Sequence, residues 1–134
     1  MKLLVPLDGS TLAEAALPVA ERLARRPGAT IVLVGVFPPP ESAAQAPEAR
    51  ELVQSWLDPA AERLRDLPVA QHIELLGDPA EGIVQAAREE GADLIVMATH
   101  GRSGLSQFVQ GSTAEAVLRA SPVPVTLVRP RDAA

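Results

Sequence analysis

Residues 93–120 read DLIVMATHGRSGLSQFVQGSTAEAVLRA, and this stretch decides the fold of the chain. It opens with Asp93–Ala98, a short and largely apolar run that is typical of a buried strand. A glycine-rich loop follows, and Ser112-x-x-Glu115 then begins a pattern with helical spacing. A buried strand that leads through a loop into a helix predicts a parallel sheet built from βαβ units.

The same alternation of apolar runs and helical patterns extends outward from this stretch. Further apolar runs predict strands at Lys2–Leu7, Thr30–Phe37, Val69–Leu76 and Val123–Val128. Helical patterns fill the intervals at Thr11–Arg26, Pro47–Asp66, Asp78–Glu90 and Ser112–Ala120. The order β-α-β-α-β-α-β-α-β predicts one α/β domain over residues 1–134, a doubly wound five-stranded parallel sheet with helices on both faces.

Prolines and capping residues predict where several of these elements begin, bend or end. Thr11-x-x-Glu14 resembles a capping box, and Pro18 is expected to bend the first helix. Asp58-Pro59 is expected to end one helix and cap another, whereas Asp78 followed by Pro79 is a strong helix start. The polar positions of the third strand predict a sheet edge, and Pro124 in the last strand predicts an edge position or a bulge.

Composition excludes several classes of protein. The net charge of −5 and the scattered arginines argue against nucleic acid as a partner, and three aromatic residues offer no base-stacking platform. The chain has no cysteine, which excludes disulfides and fits a reducing compartment. No apolar run approaches the roughly 20 residues that cross a bilayer, and no signal-peptide layout is present, so we expect a cytoplasmic protein with no membrane partner.

The loop between the fourth strand and the last helix has the features of an anion site. Gly101, Gly104 and Gly111 let the backbone approach a ligand, and the helix that follows presents free N–H groups and a favourable dipole. Ser112 and Thr113 add hydroxyl donors. The alternative is that these glycines only make turns. Neither a P-loop motif nor Gly-x-Gly-x-x-Gly after the first strand is present.

Long segments of the chain resemble the universal stress protein family. The resemblance covers LLVPLDGSTLAEAAL (residues 3–17), GDPAEGIVQAAREEGADLIVMATH (77–100) and IVMATHGRSGLSQFVQGSTAEAVL (95–118), followed by SPVPVTLVRP (121–130). ATP-binding members of that family carry Gly, two residues, Gly, nine residues, Gly and Ser or Thr. This chain has Ala98, Gly101, Gly111 and Ser112 at those places, so only the first glycine differs.

The resemblance implies a fold, a ligand and a partner. The fold is a Rossmann-like sheet of the adenine nucleotide alpha hydrolase type, with strand order 3-2-1-4-5. The ligand is ATP, or AMP or ADP, with Mg²⁺ as a companion of the nucleotide. The partner is a second copy of the chain, paired through strand 123–128; the alternative is an edge strand protected by Pro124 and the tail. The residues expected at the nucleotide are Pro6, Leu7, Asp8, Val36, Met97, Ala98, His100, Gly101, Arg102, Gly104, Gly111, Ser112 and Thr113.

Several of these residues allow a second interpretation. Asp8 either contacts the ribose or a metal, as the resemblance implies, or only caps the turn at Ser10. Val36 either lines the adenine pocket or is an ordinary core valine. His100 either contacts phosphate or only bonds the backbone. Ala98 fits if it is the last residue of a strand, which we expect, and is strained if its φ is positive.

The sequence offers no catalytic constellation and no metal cage. We assign His72 no function and expect Glu89-Glu90 to be a solvated helix end, because adjacent helical positions point apart. Phosphoryl transfer would need a positioned base and cationic clamps, and Arg102 is the only clamp candidate. We therefore expect a nucleotide-responsive stress regulator rather than an enzyme. A nucleotide-independent interaction module and a slow ATPase are the alternatives.

Overall fold

A parallel β-sheet forms the centre of the molecule in the computed structural model, which describes residues 1–99 and 112–130. Its strands are β1 (Lys2–Pro6), β2 (Thr30–Phe37), β3 (Val69–Leu75), β4 (Leu94–Ala98) and β5 (Val125–Val128). They lie in the order β3-β2-β1-β4-β5, and each adjacent pair is parallel. The predicted strand order and the two predicted edge strands are confirmed.

Helices cover both faces of this sheet, as predicted. They are α1 (Ala16–Ala24), α2 (Ala46–Arg63), α3 (Pro79–Glu90) and α4 (Ser112–Ala120). Because successive strand side chains point to opposite faces, Leu3 and Val5 pack in one apolar cluster with α1 and α2, whereas Leu4 packs in a second cluster with α3 and α4. Each fully buried leucine contributes about 1.5–3 kcal/mol through burial.

The start and end of α3 follow the predicted chemistry. The Asp78 carboxylate accepts a hydrogen bond from the Glu81 N–H at 2.8 Å, and Pro79 is the first helical residue. Gly91 ends the helix with a φ of 64°, a left-handed conformation that glycine adopts without strain. These caps fix where the first turn of α3 lies relative to the sheet.

The predicted start of the first helix is wrong. A 3₁₀ turn at Ala13–Ala15 precedes α1, and the N-cap residues Leu12 and Ala15 make no side-chain cap bond. Ser10 Oγ instead accepts a hydrogen bond from the Ala13 N–H at 3.1 Å. Pro18 is the third residue of α1, so its missing N–H falls in the first turn, where N–H groups lack helical partners. The proline is therefore tolerated near the helix start.

The predicted division of the second helix at Asp58-Pro59 is also wrong. Helix α2 is continuous from Ala46 to Arg63, with Pro59 inside it. Its buried positions keep helical spacing on both sides of the proline, at Ala49, Val53, Leu57 and Ala60. Packing of this stripe against β2 and β3 outweighs the lost backbone hydrogen bond. No helix in residues 1–99 and 112–130 is both long and apolar enough to span a membrane.

Candidate functional site

A cavity of about 460 Å³ opens at the carboxyl ends of the central strands. After β1 the chain continues to β2, the neighbour of β1 on the side away from β4. After β4 it continues to β5, the neighbour of β4 on the side away from β1. Because the connections diverge at this point, a crevice forms between β1 and β4, the usual place for a ligand in a doubly wound sheet.

The predicted nucleotide-binding residues that the structure describes nearly all line this cavity. They are Pro6, Leu7, Asp8, Val36, Met97, Ala98 and Thr113. Ser112 is exposed at the start of α4 and is not part of the lining. The remaining predicted residues, His100, Gly101, Arg102, Gly104 and Gly111, lie outside the described residues. The structure thus brings the predicted residues of β1, β2, β4 and α4 together, while their ligand roles stay predictions.

Asp8 follows β1 and organises the turn at the cavity edge. Its Oδ1 accepts hydrogen bonds from the Ser10 N–H at 3.0 Å and from Ser10 Oγ–H at 2.6 Å. Gly9 between them has a φ of 88°, a left-handed conformation that glycine adopts without strain. The turn holds the half-buried carboxylate in the lining of the cavity, so the turn role is present and is compatible with a ligand role.

Ala98 occupies the place at which the chain departs from the ATP-binding motif. It is the last residue of β4, and no described residue other than glycine has a positive φ. The expectation that alanine fits here without strain is confirmed. The buried methyl group lines the cavity and leaves its volume open.

Two aromatic side chains that no sequence motif marks form part of the cavity wall. Trp56 of α2 and Phe37 at the end of β2 meet edge to face, with ring centroids 6.0 Å apart and an interplanar angle of 66°. The indole lies over Gly9, where a Cβ would come within 2.6 Å of Trp56 Nε1. The absence of a side chain at Gly9 therefore lets α2 place an aromatic ring beside the turn that holds Asp8.

The opposite wall comes from α3 and β2. Ile83 and Pro79 of α3 line the cavity, and Val36 faces them from β2. A Cβ at Gly82 would collide with the Val36 side chain, so this glycine permits the close approach of helix and strand. We call the apolar part of the cavity that Val36, Pro79 and Ile83 line the slot.

Polar groups of the described lining are few. Asp8 and Thr99 follow the ends of β1 and β4, and Thr113 lies in the first turn of α4. The N–H groups of a first helical turn lack helical partners and carry partial positive charge. The cavity thus combines apolar and aromatic walls, suited to a flat ring, with a carboxylate, two hydroxyls and a helix start, suited to a polar and anionic appendage.

Comparisons with known proteins point to one family. The family model described as "Universal stress protein family" matches residues 1–129. A protein of Thermus aquaticus, "Universal stress protein in QAH/OAS sulfhydrylase 3'region", is 35% identical over 133 residues, covering 95% of this chain and 97% of the relative.

Solved structures share the fold. The structure of MJ0577, a universal stress protein of Methanocaldococcus jannaschii, superposes with a TM-score of 0.85 at 28% identity and covers 98% of this chain and 97% of its own. A universal stress protein in complex with cAMP superposes with a TM-score of 0.75 at 23% identity, covering 98% of each chain.

Proposed function

The chain belongs to the universal stress protein family, and from that premise we propose that its cavity binds an adenine nucleotide and that occupancy regulates a cytoplasmic stress-response dimer. The observation that carries the proposal is the mainly apolar cavity of about 460 Å³ at the carboxyl ends of β1, β2 and β4. Small-molecule sites have volumes of about 300–1,000 Å³ and combine apolar walls with a few placed polar groups.

Each part of a nucleotide has a matching part of the lining. The base enters the slot between Val36 and Ile83, next to the aromatic wall of Phe37 and Trp56. The ribose lies toward Asp8, whose carboxylate accepts hydrogen bonds from hydroxyl groups. Phosphates lie toward Thr113 and the N-terminal turn of α4, where the helix dipole favours negative charge.

Adenine nucleotides are the ligand class that we carry over from proteins of this fold. One solved universal stress protein holds cAMP, an adenine ring joined to a ribose and one phosphate. We propose ATP for this chain, with ADP or AMP as weaker alternatives and Mg²⁺ arriving with the polyphosphate. Mg²⁺ is usually bound through one or two carboxylates plus substrate phosphates, and Asp8 is the carboxylate that lines the cavity.

Identification of the bound molecule is the first test. Protein purified without added nucleotide is denatured, and the released small molecules are identified by mass spectrometry. AMP, ADP or ATP at a stoichiometric amount supports the proposal. Protein that carries none and gives no heat in calorimetric titrations with ATP and Mg²⁺ contradicts it.

A negative charge introduced at the helix start separates binding from folding. In Thr113→Glu the new carboxylate lies in the first turn of α4, where the helix dipole tolerates it. At about 7 Å from a phosphate and an effective dielectric constant of about 20, the repulsion costs roughly 2 kcal/mol per charge, or about 30-fold in affinity. The neutral control Thr113→Gln has a similar size and lacks the repulsion. Equal ATP affinities for the two variants would show that the phosphates of ATP do not lie near the N-terminus of α4.

The proposed role is regulatory and not catalytic. The described cavity lining contains one carboxylate, that of Asp8, and no histidine, arginine or lysine. Efficient phosphoryl transfer needs a positioned base together with cationic clamps. ATP that stays intact on the purified protein for hours supports the regulatory role. Phosphate release that survives extensive purification and disappears in Asp8→Ala would instead identify a slow ATPase.

The proposed dimer forms through β5. This strand lies at an edge of the described sheet, where a further strand can pair with its outer backbone groups, and Leu127 on it is 39% exposed. We expect Leu127→Arg to shift the sedimentation coefficient from dimer to monomer. Leu118→Arg is the matched control, because Leu118 is 52% exposed on α4 and lies outside β5. A monomeric wild-type protein at micromolar concentration would refute the dimer.

A further inference from the structure

A histidine enclosed by carboxylates lies at the far end of α3 from the nucleotide cavity. Nδ1 of His72 is 2.7 Å from Glu90 Oε2, and Nε2 is 2.8 Å from Glu74 Oε1 and 3.3 Å from Glu89 Oε1. We call these four residues the His72 cluster. The prediction that Glu89 and Glu90 form only a solvated helix end is wrong, because each carboxylate reaches a different nitrogen of the imidazole.

Lys2 holds Glu90 in place beside Nδ1 of the imidazole. Glu90 Oε1 lies 3.7 Å from Lys2 Nζ, which also donates a hydrogen bond to the Glu90 carbonyl oxygen at 2.9 Å. Glu90 in turn accepts the hydrogen bond of Nδ1–H at 2.7 Å. A carboxylate on one nitrogen sets the tautomer and directs the lone pair of Nε2 outward, the arrangement found behind metal-bound histidines.

The carboxylates of Glu74 and Glu89 favour a positive charge on the Nε2 side of the ring. A neutral imidazole would place its Nε2 lone pair against the oxygens of both Glu74 and Glu89. The side chains of His72 and Glu74 are only 16% and 15% exposed, so water screens this repulsion poorly. The cluster thus attracts a cation to the space between Nε2 and the two carboxylates.

The spacing of the donor atoms suits a tetrahedral metal ion. One ligand atom each from His72, Glu74 and Glu89 lie within 4.8 Å of one another. Zinc bonds of about 2.0–2.2 Å in tetrahedral geometry separate two ligand atoms by roughly 3.3 Å. The 3.3 Å pair matches this value, and the 2.8 Å pair needs to open by about 0.5 Å, which carboxylate rotation supplies.

We propose that the His72 cluster is a zinc site, with His72 Nε2, Glu74 and Glu89 as ligands, water in the fourth position and Glu90 as the residue that orients the imidazole. An imidazole ligand favours zinc over Mg²⁺ and Ca²⁺, which prefer oxygen donors alone. The ion joins the edge strand β3 to the last turn of α3. It is independent of the proposed nucleotide, because α3 separates Pro79 at the cavity from Glu90 by roughly 16 Å.

The test uses untagged, full-length protein stripped with EDTA and titrated with Zn²⁺ against a chromogenic chelator. We expect one zinc per chain and loss of binding in His72→Gln. We expect about 10- to 100-fold weaker binding in Glu90→Gln, because that variant loses only the orienting carboxylate. Glu115→Gln is the matched control: Glu115 is a helical glutamate paired with an arginine four residues on, and its loss should leave the zinc affinity unchanged.

Folding is checked by circular dichroism before each titration. If His72→Gln does not fold, Glu89→Gln replaces it, because the Glu89 side chain is 45% exposed and its loss leaves the core intact. Absence of stoichiometric zinc, or zinc that binds His72→Gln or Glu89→Gln as tightly as wild type, overturns the site. An imidazole that stays protonated above its usual pKa range and takes up no zinc also overturns it and identifies a proton-stabilised cluster.

Discussion

Replacement of Gly9 by alanine tests whether the indole of Trp56 is held against the Asp8 turn. Gly9 has a φ of 88°, and an added Cβ would lie 2.6 Å from Nε1 and 2.8 Å from Cδ1 of Trp56. Gly28 is a matched control within the same chain. Its φ is 81°, but a Cβ there meets no atom of residues 1–99 and 112–130 within 4 Å. The two variants share the backbone strain and differ in the collision.

The expected free energies follow from these contacts. A left-handed conformation costs alanine about 1–2 kcal/mol, and Gly28→Ala should lose that amount. Atoms in ordinary contact are about 3.5–4.0 Å apart, so in Gly9→Ala the indole must move by about 1 Å. Such overpacking costs a further 1–3 kcal/mol or so, for a total of about 2–5 kcal/mol. A chain of this length has roughly 7–20 kcal/mol of stability, so the variant stays folded.

Urea denaturation followed by circular dichroism measures the unfolding free energy of both variants. In thermal unfolding, each kcal/mol of lost stability lowers Tm by about 4 °C. In a Trp56→Leu background the indole is gone, and Gly9→Ala should then cost no more than Gly28→Ala. We also expect Gly9→Ala, but not Gly28→Ala, to weaken ATP binding, because the displaced ring belongs to the cavity wall. Equal destabilisation by Gly9→Ala and Gly28→Ala in the wild-type background would refute the reasoning.

Three further variants test the surroundings of the cavity and the surface. Gly82→Ala should lower the unfolding free energy measured in urea by about 1–3 kcal/mol, because the added Cβ collides with Val36. Since the collision pushes Val36 into the slot, the variant should also bind ATP more weakly in calorimetry, and an unchanged affinity would contradict this geometry. Asp78→Ala removes the cap of α3 and should lower the unfolding free energy by about 1 kcal/mol, whereas no change would mean that the cap is not formed. Glu14→Gln breaks the exposed 2.7 Å ion pair with Arg63 and should change the unfolding free energy by less than about 1 kcal/mol, so a larger loss would show that the pair is not screened by solvent.

Much of the fold is predictable from the sequence because its signals are local. The apolar run Thr30–Phe37 and the helix Ser112–Ala120 have the predicted bounds, and Asp78 and Gly91 cap α3 as their residue types require. The continuity of α2 through Pro59 was not predictable in the same way. There a tertiary contact, the packing of the α2 stripe on the sheet, overrides a strong local signal.

The candidate site also contains some residues that the sequence predicts and others that only the folded structure reveals. Asp8, Val36 and Ala98 lie at the ends of strands that the hydrophobic pattern predicts, and the resemblance to the family assigned them to a ligand site. Trp56 lies in a segment without a motif, and its contact with Gly9 joins residues far apart in the chain, so only the folded structure reveals it.

The His72 cluster was missed for a related reason. The alternation of His72 and Glu74 along β3 places both side chains on one face, which the sequence does contain. The approach of Glu89 and Glu90 depends on how the last turn of α3 packs on that strand, and no local pattern encodes it.

Methyl-detected NMR during a titration with ATP and Mg²⁺ tests the central claim most directly. The methyl groups of Val36, Ile83 and Met97 line the cavity, whereas those of Leu57 and Val117 are buried in the core and do not line it. We predict saturable shifts for the first three and none for the other two, with one nucleotide bound per chain. Unchanged cavity methyls at millimolar ATP, or shifts confined to other parts of the protein, would contradict the proposal that this cavity is a nucleotide site.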